Sequence, residues 1–187
     1  MVFPARFRQS LAKARLGESE EALKQLDGLL AGNPPPAPAQ RQAVLFARGE
    51  LLLRPAEKSP PQPQAAAAAF DQIARDPATP TPLKYQALCR KAECFRRLGQ
   101  ADEALAAFIE AAQPVLSPAA AGSSKSPSDL EWPLNAGFSA VSMYSERHDW
   151  RRALDLALRL AETPGRHITR ARNFANRIRL EHFLWEE

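Results

Sequence analysis

Proline placement constrains this chain more than any other feature. Most of its 17 prolines fall in four clusters: NPPPAPA at 33–39, RPAEKSPPQP at 54–63, DPATPTP at 76–82 and SPAAAGSSKSPS at 117–128. A proline inside a helix removes a backbone donor and clashes with the turn before it, so each cluster reads as a connector. The blocks between are rich in Ala, Leu, Arg and Glu. Their apolar residues recur at three and four, as in Leu23, Leu26, Leu29 and Leu30 or Leu154, Ala157, Leu158 and Ala161. That is the helical period, and no stretch alternates convincingly with the period of two that a half-buried strand requires. The expectation is an all-α fold.

The blocks also resemble one another. In FRQSLAKARLGESEEALKQLDGLLAGNP the small residue Ser10 precedes Ala22 by twelve positions, with Gly17 at the turn between them. In LKYQALCRKAECFRRLGQADEALAAFIEAAQPVL the same twelve separate Ala92 from Ala104 around Gly99, and in LNAGFSAVSMYSERHDWRRALDLALRLAETPG they separate Val141 from Ala153, where His148 stands in the glycine position. A fourth block, AVLFARGELLLR followed by QAAAAAFDQIARDP, aligns Gly49 with Ala66 across seventeen, the extra five lying within PAEKSPPQPQ. Small residues at such positions let two helices approach closely while larger neighbours fill the layer beyond.

With Leu88, Ala92 and Phe95 in the Trp, Gly and Tyr positions and Ala104, Phe108 and Ala111 in the second helix, the block at 83–116 resembles the tetratricopeptide repeat, Lys91 replacing a usual leucine. The resemblance implies a right-handed α-solenoid of antiparallel helix pairs over a single domain, 1–187. Its repeats fall at about 3–34, 42–78, 85–117 and 128–164, with a capping helix at 166–185 carrying the apolar stripe Ile168, Ala171, Phe174/Ala175 and Ile178. The array is degenerate, since the alanines at 22, 66, 104 and 153 are not spaced at a constant 34. Ser128 to Glu131, SDLE, forms a capping box before the fourth pair.

The family's concave surface implies a protein or peptide partner, and two register positions point towards it. Three residues before each small position stand Phe7, Phe46, Cys89 and Phe138, and five after it Arg15, Arg54, Arg97 and then Glu146, with Arg90 adding to a basic rim. These eight, Phe7, Arg15, Phe46, Arg54, Cys89, Arg90, Arg97 and Phe138, form the candidate groove, suited to bulky apolar anchors with acidic flanks. Packing against the next repeat is the competing role for the aromatics, and attraction to the helix C-terminus for the arginines. The neighbour after each small position is Leu11, Glu50, Glu93 or Ser142 and never Asn, which departs from the family's peptide-carboxylate clamp.

Other chemistry finds little support. His148, His167 and His182 share no metal-binding spacing, and there is neither a phosphate loop nor a nucleophile elbow, so no enzymatic activity and no cofactor or metal is expected. Cys89 lies near Arg90, Arg96 and Arg97, cations that could lower a thiol pKa, but a packed or incidental thiol is the favoured reading. The net charge of +4 includes 19 Arg, and Arg166, Arg170, Arg172, Arg177 and Arg179 in the last helix make nucleic acid the alternative partner. Glu162, Glu181, Glu186 and Glu187 dilute that patch, as on a solvated face. Leu180, Phe183, Leu184 and Trp185 leave apolar area for sealing the core, for self-association or for a preceding domain. The longest apolar run, Ala65 to Phe70, is too short for a membrane span, so a soluble chain is expected, cytoplasmic, or periplasmic as part of a longer exported protein. The abrupt start at Met1 suggests an excised part of such a protein, and the Arg, Ala and Pro usage a bacterial source.

Overall fold

A computed structural model describes residues 2–54, 60–117, 127–163 and 165–184. Among these, nine α-helices and one short 3-10 turn account for the regular structure, with no strand. The chain divides into two compact units, Met1–Gln100 and Ala101–Glu187. The boundary falls in the turn of the third expected pair.

The first unit holds α1 (Val2–Arg15), α2 (Ser19–Leu30), α3 (Pro38–Leu52), α4 (Pro63–Arg75) and α5 (Thr81–Arg97). Each packs on its sequence neighbour, and α1 also touches α3. The connectors explain the starts: Pro38, Pro63 and Pro82 occupy the first helical positions, where a missing N–H costs nothing. Helix α3 divides two cores. Val44 and Leu51 pack with Ala22, Leu26 and Leu29 on one side, and Leu45 and Leu52 pack with Ala66, Phe70, Ile73, Ala87 and Cys94 on the other. Fully burying a side chain such as Leu26 or Phe70 contributes about 1.5–3 kcal/mol.

The second unit holds α6 (Ala101–Leu116), the 3-10 turn Pro127–Leu130, α7 (Glu131–Glu146), α8 (Trp150–Glu162) and α9 (Ile168–His182). Here too neighbours in sequence pack together, and α6 reaches α8. Pro114, which falls in none of the four clusters, lies inside α6, near enough to the end that little of the helix follows it. One feature of this unit, the start of α7, differs from the sequence expectation. The 3-10 turn precedes α7, whose cap position is Leu130 without a side-chain hydrogen bond. The Ser128 side chain lies outside what is described.

The register read from the sequence corresponds to buried positions. Ser10, Ala22, Ala66, Ala92, Ala104, Val141 and Ala153 are all 0% exposed. Three turns close in the same way: the N–H groups of Glu18, Gln100 and Asp149 donate to the carbonyls of Lys13, Phe95 and Tyr144 at 3.0, 2.9 and 2.9 Å. In each, the residue before the donor is left-handed, Gly17 at φ 85, Gly99 at φ 73 and His148 at φ 59, the six-residue closure that ends many helices. The end of α9 repeats it, with Phe183 at φ 53 and Leu184 N–H donating to Arg179 O at 3.2 Å. Helix α9 also shares a buried pair seven apart with earlier helices: Ala171 and Ile178, like Val44 and Leu51, Ala87 and Cys94, and Ala136 and Met143.

Two glycines are required by close approach. A Cβ on Gly49 would stand 2.6 Å from Phe70 Cζ, and one on Gly137 would stand 2.6 Å from Leu160 Cδ2. Gly28, exposed within α2, would meet nothing within 4 Å. Replacing a helical glycine by alanine gains about 1 kcal/mol in propensity, whereas overpacking a filled core costs about 1–3 kcal/mol. Thermal unfolding should therefore show Gly28→Ala raising the melting temperature and Gly49→Ala lowering it. A rise for Gly49→Ala would show that Phe70 can yield.

Candidate functional site

The first helices of the first unit line an apolar recess. A cavity of about 590 Å³ is bounded by Phe7, Leu11, Ala14 and Arg15 of α1, by Gln42, Phe46, Glu50 and Leu51 of α3, by Arg54 just beyond it, and by Pro80 and Leu83 at the start of α5. That volume falls within the 300–1,000 Å³ range typical of ligand pockets. Its walls are built from the core outward. Gly49 admits Phe70 against α3, and Phe46 meets the Phe70 ring edge-on at a centroid distance of 5.5 Å. Phe7 stacks on Phe3 at 6.1 Å. Both Phe7 and Phe46 are half-buried, each turning part of its ring to the opening.

The polar groups divide into engaged and unengaged sets. Gln42 is buried and its Nε2 donates to Asp76 Oδ2 at 3.1 Å. This bond, with a second from Ala78 N–H, holds the Asp76 carboxyl below its ordinary range. Glu50 is ion-paired with Arg90 at 2.9 Å, so the one carboxylate on the wall is compensated. Arg15 and Arg54 are exposed, and neither has an ion-pair partner among the described residues. The cavity therefore presents apolar side chains beside two cations that no described acidic residue pairs.

Four of the eight expected groove residues meet here: Phe7, Arg15, Phe46 and Arg54. The other four are placed differently. Arg90 is committed to Glu50. Arg97 Nη1 donates to Leu53 O at 2.9 Å, closing the end of α3. Cys89 is only 7% exposed. Phe138 belongs to the second unit, is 6% exposed, and lies under the Arg170 guanidinium, 4.1 Å from its ring centroid. Reaching Phe138 from solvent requires moving Arg170. Leu11 and Glu50 share one register position, the residue after the small one, and that periodicity is the signal by which the sequence marks them as wall residues. Leu83 and Pro80 carry no such signal, because they enter from the start of a different helix.

Elsewhere the arginines are largely engaged within their own units. Arg48 pairs with Asp27 at 2.7 Å and Arg147 with Asp102 at 2.6 Å. Lys91, the departure from the repeat's usual leucine, pairs with Asp71 of α4 at 2.6 Å. In α9, Arg177 lies 4.6 Å from the Phe174 ring centroid as Arg170 lies over Phe138, so two of its four arginines rest on aromatic faces. His148 and His182 flank Trp150, His182 stacking on it at 3.7 Å. Among the described residues no three His, Cys, Asp or Glu side chains gather as a metal site, and no helix is long and apolar enough to cross a membrane.

Burial governs the two thiols. It pushes Cys89 up to about 12, against a smaller opposing pull from Arg90, and Cys94 up to about 11, against Arg97. The thiolate is the reactive form, so at pH 8 a disulfide reagent should label neither cysteine of the folded chain in the time it labels both after unfolding in guanidinium. Rapid labelling of native Cys89 would mean that the arginines outweigh burial.

No family model, no curated protein and no solved structure matches this chain.

Proposed function

We propose that this chain is a protein-interaction module of tetratricopeptide-like helix pairs wound as a right-handed solenoid, taking an extended or helical peptide in the cavity of its first unit. The observation that carries the reading is the convergence of Phe7, Phe46, Arg15 and Arg54, two pairs from equivalent register positions of successive first helices, on one recess. Half-buried aromatics supply anchor pockets at small entropic cost, and unpaired arginines select acidic flanks. Three equivalent turn closures and the shared buried register support the repeat reading. No set of nucleophile, base and oxyanion donors lines the cavity, so binding without chemistry is the proposed activity. The arginines of α9, two of them lying on rings, speak less for nucleic acid than for a solvated outer face.

Selection of a displayed random-peptide library on the immobilised chain tests this. Selected peptides should share bulky apolar residues next to Asp or Glu. Arg15→Glu with Arg54→Glu should weaken them by at least about tenfold, as charge reversal at both sites replaces attraction by repulsion, with the melting temperature unchanged because both side chains are exposed. Phe7→Ala should weaken them comparably. Peptides that bind the double variant as well as the parent, or that never emerge, would sink the reading. Tight, salt-sensitive binding of duplex or single-stranded nucleic acid lost on Arg166→Ala with Arg172→Ala would replace it.

A further inference from the structure

A second step rests on that reading and names an occupant. We propose that the cavity of one copy receives residues 180–187, LEHFLWEE, of a second copy, so that the chain associates head to tail.

The segment has the chemistry the cavity lacks. Four large apolar side chains are markedly exposed among the described residues, Leu16, Leu98, Leu180 and Phe183, and two of them lie here, at 63% and 80% exposure. Leu16 and Leu98 each follow an arginine, Arg15 and Arg97, whereas residues 180–187 contain Glu181, Glu186 and Glu187 and no Lys or Arg. The preceding helix is the reverse, with Arg170, Arg172, Arg177 and Arg179 and no acidic residue from Ile168 to Arg179. The charge therefore changes sign at the point where the apolar side chains emerge. In a chain of net charge +4, residues 180–187 pair bulky apolar groups with purely negative charge. The cavity offers the complement: Phe7, Leu11, Phe46 and Leu83 on its walls, and Arg15 and Arg54 without acidic partners among the described residues.

Geometry presents Leu180 and Phe183 outward. At Phe183 the backbone turns left-handed, φ 53, and the Leu184 N–H closes on Arg179 O, so the chain leaves the axis of α9 there. Ile178, 3% exposed, pins α9 two residues before Leu180. A contact between two different patches is heterologous: it closes where two copies exchange tails or a ring forms and otherwise extends, so in either case the mass should grow with concentration.

The test uses the full chain. Fluorescein-labelled LEHFLWEE is titrated into Phe183→Asn protein, in which asparagine tolerates the left-handed turn and the exposed ring is removed without touching a core. Saturable binding is expected, competed by library-selected peptides and weakened about tenfold or more by Arg15→Glu with Arg54→Glu. In sedimentation velocity the parent chain should gain mass with concentration, while Phe183→Asn and the double arginine variant remain monomeric with unchanged melting temperatures. If library peptides bind and LEHFLWEE does not, the self-docking proposal falls and the interaction-module reading stands. If neither binds, both fall. A parent chain that stays monomeric at every concentration yet binds the labelled peptide far more weakly than Phe183→Asn would show docking within one chain, which overturns the second-copy proposal.

Discussion

A missing methyl group organises the first unit. At Gly49 the backbone of α3 is bare, and the Phe70 ring occupies the space that any Cβ would fill, 2.6 Å away. Because Phe70 is fully buried at that spot, its ring edge becomes a fixed platform for Phe46, and Phe46 in turn forms a wall of the cavity. Core and recess are thus one continuous stack. The close packing of interiors means that a shift at the bottom of such a stack is felt at its top. Gly137 admits Leu160 in the same manner, but that position leads to the surface covered by Arg170 rather than to an open recess.

Arginine is abundant here, yet most of it serves the fold. Arg48 and Arg90 bridge neighbouring helices, Arg97 and Arg159 donate to the last-turn carbonyls of α3 and α6, and Arg170 and Arg177 lie flat on phenylalanine rings. Planar guanidinium suits each of these tasks, which an ammonium performs poorly. What remains for recognition in the first cavity is the pair that such duties leave over, Arg15 and Arg54. Isolated exposed ion pairs contribute only about 0–1 kcal/mol each, so the apolar layers carry the stability and the charges chiefly fix which helix faces which.

The helices and their turns were legible in the sequence because both rest on local rules. Proline at helix starts, a period of 3.6 and a left-handed residue at a fixed place each need only a few neighbouring residues, and even His148 took the glycine position that its alignment assigned. The candidate site was only half legible. Register placed Phe7 with Phe46 and Arg15 with Arg54, because equivalent positions on successive first helices fall on one side. It also placed Phe138 there, but α9 contributes Arg170 to that ring, a contact fixed by tertiary packing and invisible in the spacing. In the fourth pair, alignment picked Val141 as the small residue, whereas the close approach occurs one turn earlier, at Gly137. A glycine in the middle of a helix costs stability and needs a reason, and that was the available clue.

The ends of α3 and α6 are closed from a distance. Leu53 O accepts from Arg97, while Val115 O and Leu116 O accept from Thr163 Oγ1 and Arg159 Nη2, at 2.9 Å each. Helix ends must otherwise find such donors in the residues that follow immediately. After α3 the N–H groups of Arg54 and Gln62 also reach Leu51 O and Leu52 O, at 3.2 and 2.8 Å. At Leu53, Val115 and Leu116, however, the proline-rich stretch after α3 and the serine-rich stretch after α6 leave the carbonyl to a distant side chain. These stretches are also the two places where the chain exceeds the compact repeat length. Insertions, deletions and changes of composition can accumulate there without fraying a helix, which makes these junctions the natural points at which this architecture varies in length and at which a foreign sequence could be spliced in.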